Sequence, residues 1–177
     1  MTCPLDCEYL QDARRHDKLV RLDSETIPHE DIRINEKFLQ EHVELIQAVG
    51  ESLFTAALGT AGAADLDMRD ALDALVRTYR TLVAGVYYET LPANALASRV
   101  FHRVQDDIVR FRAEERRELG MPKTRDADIL GTMVFFTRLE LDRNNGRPRG
   151  RAFISLLQEL AEAPANPGGK DSRLVLP

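Results

Sequence analysis

The sequence predicts an all-α protein, an up-and-down helical bundle of about five main helices with a short N-terminal helix and an extended C-terminal tail. Three observations carry that expectation. Apolar residues recur at three- and four-residue steps from about residue 35 onward, the spacing that lines one face of an α-helix. No stretch alternates apolar and polar residues for long enough to read as a strand. The links between apolar runs are short, which favours antiparallel neighbours.

The first helix is marked by Phe38, His42, Leu45, Ile46, Val49 and Leu53, and it loosens through the small residues Ala56 to Ala64. A second carries Leu72, Leu75, Val76, Tyr79, Leu82, Val83 and Val86. Asp65 and Asp67 stand at its start, where carboxylates cap free N–H groups and oppose the helix dipole. Pro92 breaks the pattern and Asn94 is placed to cap a third helix bearing Leu96, Val100, Phe101, Val104, Ile108 and Phe111. Gly120 suits the left-handed position after that helix, and Pro122 forbids its resumption. A fourth helix follows with Thr124 as its cap and Asp126 and Asp128 in its first turn; Ile129, Leu130, Met133, Val134 and Leu139 lie inside it. Asn144-Asn145-Gly146 ends it. The fifth runs from about Arg149 with Phe153, Ile154, Leu157, Leu160 and Ala161 as its apolar stripe.

The flanks differ in character. Residues 1–34 hold a short helical candidate, Leu5 to Leu19, and a polar stretch with Pro28 and His29. The bundle domain spans residues 35–163. Residues 164–177 form a Pro/Gly linker by composition, ending in Leu174-Val175-Leu176-Pro177, an apolar tail suited to docking on this chain, a dimer mate or a protein partner.

Composition narrows the function. The 177 residues are 44% hydrophobic and 30% charged, without Trp. No window approaches the 18 or so uncharged apolar residues of a membrane span, and the first residues lack the regions of a secretory signal. Two Cys cannot make a multi-bridge scaffold, and a cytoplasmic setting leaves them as thiols. The net charge of −5 is unevenly spread. Residues 1–92 hold 17 acids and 9 bases, whereas residues 93–177 hold 12 acids and 15 bases. Opposite halves attract each other within a molecule or across a dimer, and the same distribution argues against nucleic-acid binding.

Three groups of residues bear on chemistry. Cys3, Cys7, His16 and His29 supply thiolate and imidazole ligands for zinc, although their spacing matches no recognised zinc pattern. A di-iron bundle is disfavoured because no Glu-x-x-His occurs. His42 lies on an apolar face, as core histidines do, and His102 with Asp106 forms an i,i+4 surface pair. The arginine loop holds Arg143, Arg147, Arg149 and Arg151. Arg143 complements the end of the fourth helix, but Arg149 and Arg151 place cations beside the free N–H groups of the fifth. That reversal fits either an anion or nucleotide-phosphate site or pairing with acids from the front half. No arrangement points to nucleophilic catalysis. The expected function is that of a cytoplasmic, non-enzymatic protein acting as a homodimer or through other protein contacts. Anion binding at the arginine loop and metal binding at the N-terminal Cys and His are the alternatives.

Overall fold

Helix starts leave backbone N–H groups without partners, and in this chain the placement of those starts organises the molecule. The computed structural model describes residues 27–147 and 149–162. It contains α1 (Glu36–Glu41), α2 (Val43–Gly59), α3 (Asp65–Val83), α4 (Ala95–Leu119), α5 (Asp126–Arg143) and α6 (Ala152–Glu162). All regular structure among the described residues is helical, as the periodicity predicts. The expected N-terminal helix, Leu5 to Leu19, and the tail at 164–177 lie outside the described residues.

Side-chain bonds fix the direction of each helix. Ser52 on α2 donates to Asp107 on α4 at 2.6 Å, while Leu45 and Phe111 meet further along, so α2 and α4 are antiparallel. Arg69 near the start of α3 bonds Glu140 near the end of α5, making those two antiparallel as well. The α3–α4 pair departs from the expected up-and-down path. Asn94 donates to Asp67 at one end and Tyr79 donates to Gln105 further along, so α3 and α4 run parallel. Two parallel helices cannot be joined by a tight turn. Residues 84–94 therefore travel back along the full length of α3 before α4 begins.

The core between these helices is continuous, with Leu53, Met68, Leu72, Leu75, Phe101, Ile129, Met133, Phe136, Phe153 and Leu157 fully buried. Each such side chain contributes roughly 1.5–3 kcal/mol relative to an exposed one. Gly131 on α5 lets Phe38 lie directly on its backbone, since an added Cβ would stand 2.6 Å from the ring. Arg138 on the same helix donates to the carbonyls of Pro28, His29 and Ile32, tying residues 28–32 to the bundle.

Several boundaries differ from those the sequence suggests. The first predicted helix is two, broken at His42 (φ −118°, ψ 23°), which turns α1 so that Phe38 reaches α5. Helix α3 stops at Val83 and does not run through Val86. Gly85 (φ 78°) lets its N–H reach Leu82 O and the Val86 N–H reach Thr81 O, the paired bonds of a left-handed helix stop. Thr124 does not cap α5, because its N–H and Oγ1 are both held by the Glu115 carboxylate at 3.0 and 2.8 Å. Arg125 takes that position, its N–H bonded by Asp128 Oδ2 at 2.9 Å. The last helix starts at Ala152 and not near Arg149, since Gly150 O accepts the Asp65 N–H and holds the chain off the helical path.

The starts of α3, α4 and α6 meet at one end of the bundle. Asp67 Oδ2 accepts the Ala64 N–H at 2.8 Å, and its Oδ1 accepts from Asn94, whose own Oδ1 caps α4 at the Leu96 N–H. Asp65, with no exposed surface, gives its two oxygens to the Phe153 and Ile154 N–H groups in the first turn of α6, at 3.3 and 3.2 Å. Each helix dipole presents partial positive charge there, and the two carboxylates oppose it. Replacing Asp65 with Ala leaves two buried N–H donors unpaired; the expected loss is about 2–4 kcal/mol in urea denaturation. Asp65→Asn, which keeps one acceptor, is expected to lose less.

Candidate functional site

The arginine loop comes first, because its placement bears on the anion reading. Arg143 pairs with Asp142 at 2.9 Å, and Arg151 Nη1 donates to Ala63 O at 3.2 Å. Arg147 and Arg149 are exposed and form no ion pair with another described residue. The four guanidinium groups thus do not share a partner. The helix N–H groups that would complete an anion site with Arg149 and Arg151 are those of Phe153 and Ile154, already bonded to Asp65. An incoming phosphate would have to displace a buried internal carboxylate. The front half does supply an acid to this helix start, but the acid bonds the backbone and not the arginines.

Of the proposed metal ligands, Cys3, Cys7 and His16 lie outside the described residues. His29 adopts a left-handed backbone (φ 58°), and its Nδ1 stands 3.0 Å from Arg80 Nη2. Burial lowers the affinity of the His29 ring for a proton, and the Arg80 cation lowers it further. Arg80 in turn holds Asp31 through two 2.8 Å bonds. No group of three His, Cys, Asp or Glu side chains converges as metal ligands among the described residues. His102 is exposed, its ring edge-on to Phe101.

At the opposite end from the gathered helix starts lies a cleft of about 200 Å³, between the α1–α2 break, α4 and the start of α5. Leu45 and Phe111 form apolar wall, and Glu41, Glu44, Lys123 and Arg125 edge it. His42 is half-buried under the Phe38 ring, with Nε2 3.8 Å from Asp128 Oδ1. Burial pushes the Asp128 carboxyl up, but the Arg125 N–H, its guanidinium and His42 outweigh burial and hold it below the ordinary range. The two innermost acids have structural partners: Asp128 bonds the start of α5 and Glu115 pins Thr124. Thr124 Oγ1 bonds Glu115 and not His42, so this hydroxyl is not held by the His–Asp pair.

The surface that stands apart is the α3–α4 crossover. Val83, Val86, Tyr87, Tyr88 and Leu91 are all large apolar residues left exposed, with Tyr87 86% and Tyr88 64% accessible. Tyr88 O accepts from Thr81 Oγ1 at 2.9 Å, and the Thr90 N–H donates to Thr78 Oγ1 at 2.9 Å, so the segment is fastened to α3. From the sequence Tyr87-Tyr88-Glu89 is expected to close the second helix, whereas the structure ends that helix at Val83. The available signal was a β-favouring Val-Tyr-Tyr-Glu-Thr run between Gly85 and Pro92.

The chain matches no protein-family model, no curated protein and no solved structure. No described helix is long and apolar enough to cross a membrane.

One further titratable group is set by the fold. Glu140 is wholly buried, with Arg69 Nε 2.8 Å from its carboxylate. Burial pushes its carboxyl up to about 7, against the pull of Arg69. Unfolded, it loses its proton near the ordinary 4.5. Between those values the folded state holds the extra proton, so this group's contribution to stability falls as pH rises and levels off above 7. Glu140→Gln removes that slope. Urea melts from pH 4 to 8 are expected to show the parent losing about 3 kcal/mol relative to the variant across this window; parallel profiles would contradict the assignment.

Proposed function

We propose that this protein works through protein contacts and associates with a second copy of itself, using the exposed crossover between α3 and α4. The observation that carries this reading is the clustering of exposed apolar side chains from Val83 to Leu91, two of them adjacent tyrosines. Scattered exposed apolar residues are ordinary, but contiguous patches mark contact surfaces. Tyrosine is enriched at such surfaces because it buries a large ring and keeps a polar tip. The opposite net charges of residues 1–92 and 93–177 support pairing of like chains, since each copy offers both signs to the other.

The competing sites carry less. The arginine loop has lost its helix donors to Asp65, and the acids deepest in the α1–α2 cleft are engaged in holding α5 and its preceding loop. Sedimentation equilibrium over a range from low to high micromolar tests the proposal. The parent is expected to populate a dimer, and the double substitution Tyr87→Ser with Tyr88→Ser is expected to weaken it by roughly 30-fold or more, as loss of a central aromatic contact does. At a concentration low enough for the parent to be monomeric, the melting temperature should not change, because neither ring is buried in the monomer. A parent that stays monomeric over the whole range would overturn the reading.

A further inference from the structure

The hydrogen bonds of the crossover alternate. Val86 N–H goes to Thr81 O, Tyr88 O accepts from Thr81 Oγ1, and Thr90 N–H goes to Thr78 Oγ1. Every one of these groups belongs to an even-numbered residue and faces α3. The backbone N–H and C=O of Tyr87 and Glu89 have no hydrogen-bond partner among the described residues. In extended chain, successive residues direct their backbone groups to opposite edges. The segment is therefore an irregular, drawn-out link with one side fastened to a helix and the Tyr87 and Glu89 backbone groups on the other side open. Glu89 is the one charged residue between Val86 and Pro92, and Pro92, which has no N–H, ends the edge.

We propose that this open edge pairs antiparallel with the same edge of a second copy, forming a two-stranded ribbon across a two-fold axis. The inference rests on the self-association reading and specifies its geometry. A two-fold contact requires a surface complementary to itself, and the register can be chosen from the residues. Tyr87 and Glu89, whose backbone groups are free, lie on either side of Tyr88, the centre of the exposed segment. A register centred on Glu89 sets Glu89 opposite Glu89 of the second copy, and like charges directly opposite destabilise a pair. A register centred on Tyr88 sets Tyr87 opposite Glu89 of the second copy and Tyr88 opposite its own counterpart. It satisfies four backbone groups per copy and stacks two aromatic rings at the close, non-hydrogen-bonded position. The second register is the one the chemistry favours.

Backbone chemistry tests this without touching the apolar patch. Proline is tolerated on an edge whose N–H faces solvent, so Glu89→Pro leaves the bonds to α3 in place while removing one donor per copy. Glu89→Gln keeps the donor. By sedimentation equilibrium, Glu89→Pro is expected to weaken the dimer roughly tenfold or more, and Glu89→Gln to leave it within a few-fold of the parent. Thermal melts monitored by circular dichroism establish that the variants fold. In the parent, residue-resolved hydrogen exchange is expected to show the Tyr87 and Glu89 amides slowing as protein concentration rises, a result that does not depend on any variant folding. A parent dimer unaffected by Glu89→Pro, with those amides exchanging freely, overturns the ribbon and leaves self-association standing. A parent monomeric throughout overturns both. Slow Tyr87 and Glu89 amides in a monomer, released when residues 164–177 are deleted, would assign the edge to this chain's own tail and overturn the second copy as occupant.

Discussion

Two carboxylates in one helical turn hold this fold together. Asp65 and Asp67 stand at the start of α3, and between them they bond the starts of α3, α4 and α6. A helix start carries unpaired donors and partial positive charge, so three of them side by side are unfavourable without anions. Asp65 is unusual in being fully buried and in capping a helix 88 residues away in sequence. Its own N–H closes the arrangement by donating to Gly150 O at 2.8 Å. The strands of backbone leading into α3 and α6 are thereby locked to each other, with Arg151 adding a bond to Ala63 O. Burying the carboxylate is tolerable because both of its oxygens accept backbone N–H bonds.

The crossover follows from the same constraint. If α4 must start beside Asp67, the chain leaving the far end of α3 has to return the whole length of that helix. A helix of 19 residues is roughly 28 Å long, and about nine extended residues cover that distance. Val86 to Asn94 supplies them. Extended chain over a helix is bonded on one edge only, and here Thr78 and Thr81 provide the bonds. The exposed tyrosines and the open side of this link are thus by-products of gathering parallel helix starts. Gly85 makes the reversal possible, since the left-handed turn after Val83 is readily adopted only without a side chain.

Much of the architecture was legible in the sequence. The apolar spacing of Leu72, Leu75, Val76 and Tyr79, or of Val100, Phe101, Val104 and Ile108, identifies buried helix faces because such periodicity is local. Asn94 as a cap and Gly120 as a left-handed stop were equally readable, each being decided within a few residues. What sequence could not supply was pairing at long range. Asp65 looks like a cap for its own helix, and only the fold shows its oxygens on Phe153 and Ile154. The arginine loop fits either an anion site or pairing with front-half acids, and the acid that bonds this helix start, Asp65, lies too far away in the chain to be read locally. Short links suggested antiparallel neighbours throughout; the Ala84 to Asn94 stretch is long enough to return along α3, and its direction was set by the Asp67–Asn94 bond. Thr124 had every local mark of a cap, and Glu115 on the preceding helix claimed its donors.

The most direct measurement is hydrogen exchange at the Phe153 and Ile154 amides of the parent protein. The second and third N–H groups of a helix have no partner within it, so at an ordinary exposed helix start they exchange quickly. If Asp65 joins α6 to α3 as described, both amides exchange as slowly as those in the middle of α3, because releasing them requires the bundle to open. Fast exchange at both, with α3 protected, would show that the two helix starts are not joined and would contradict the account.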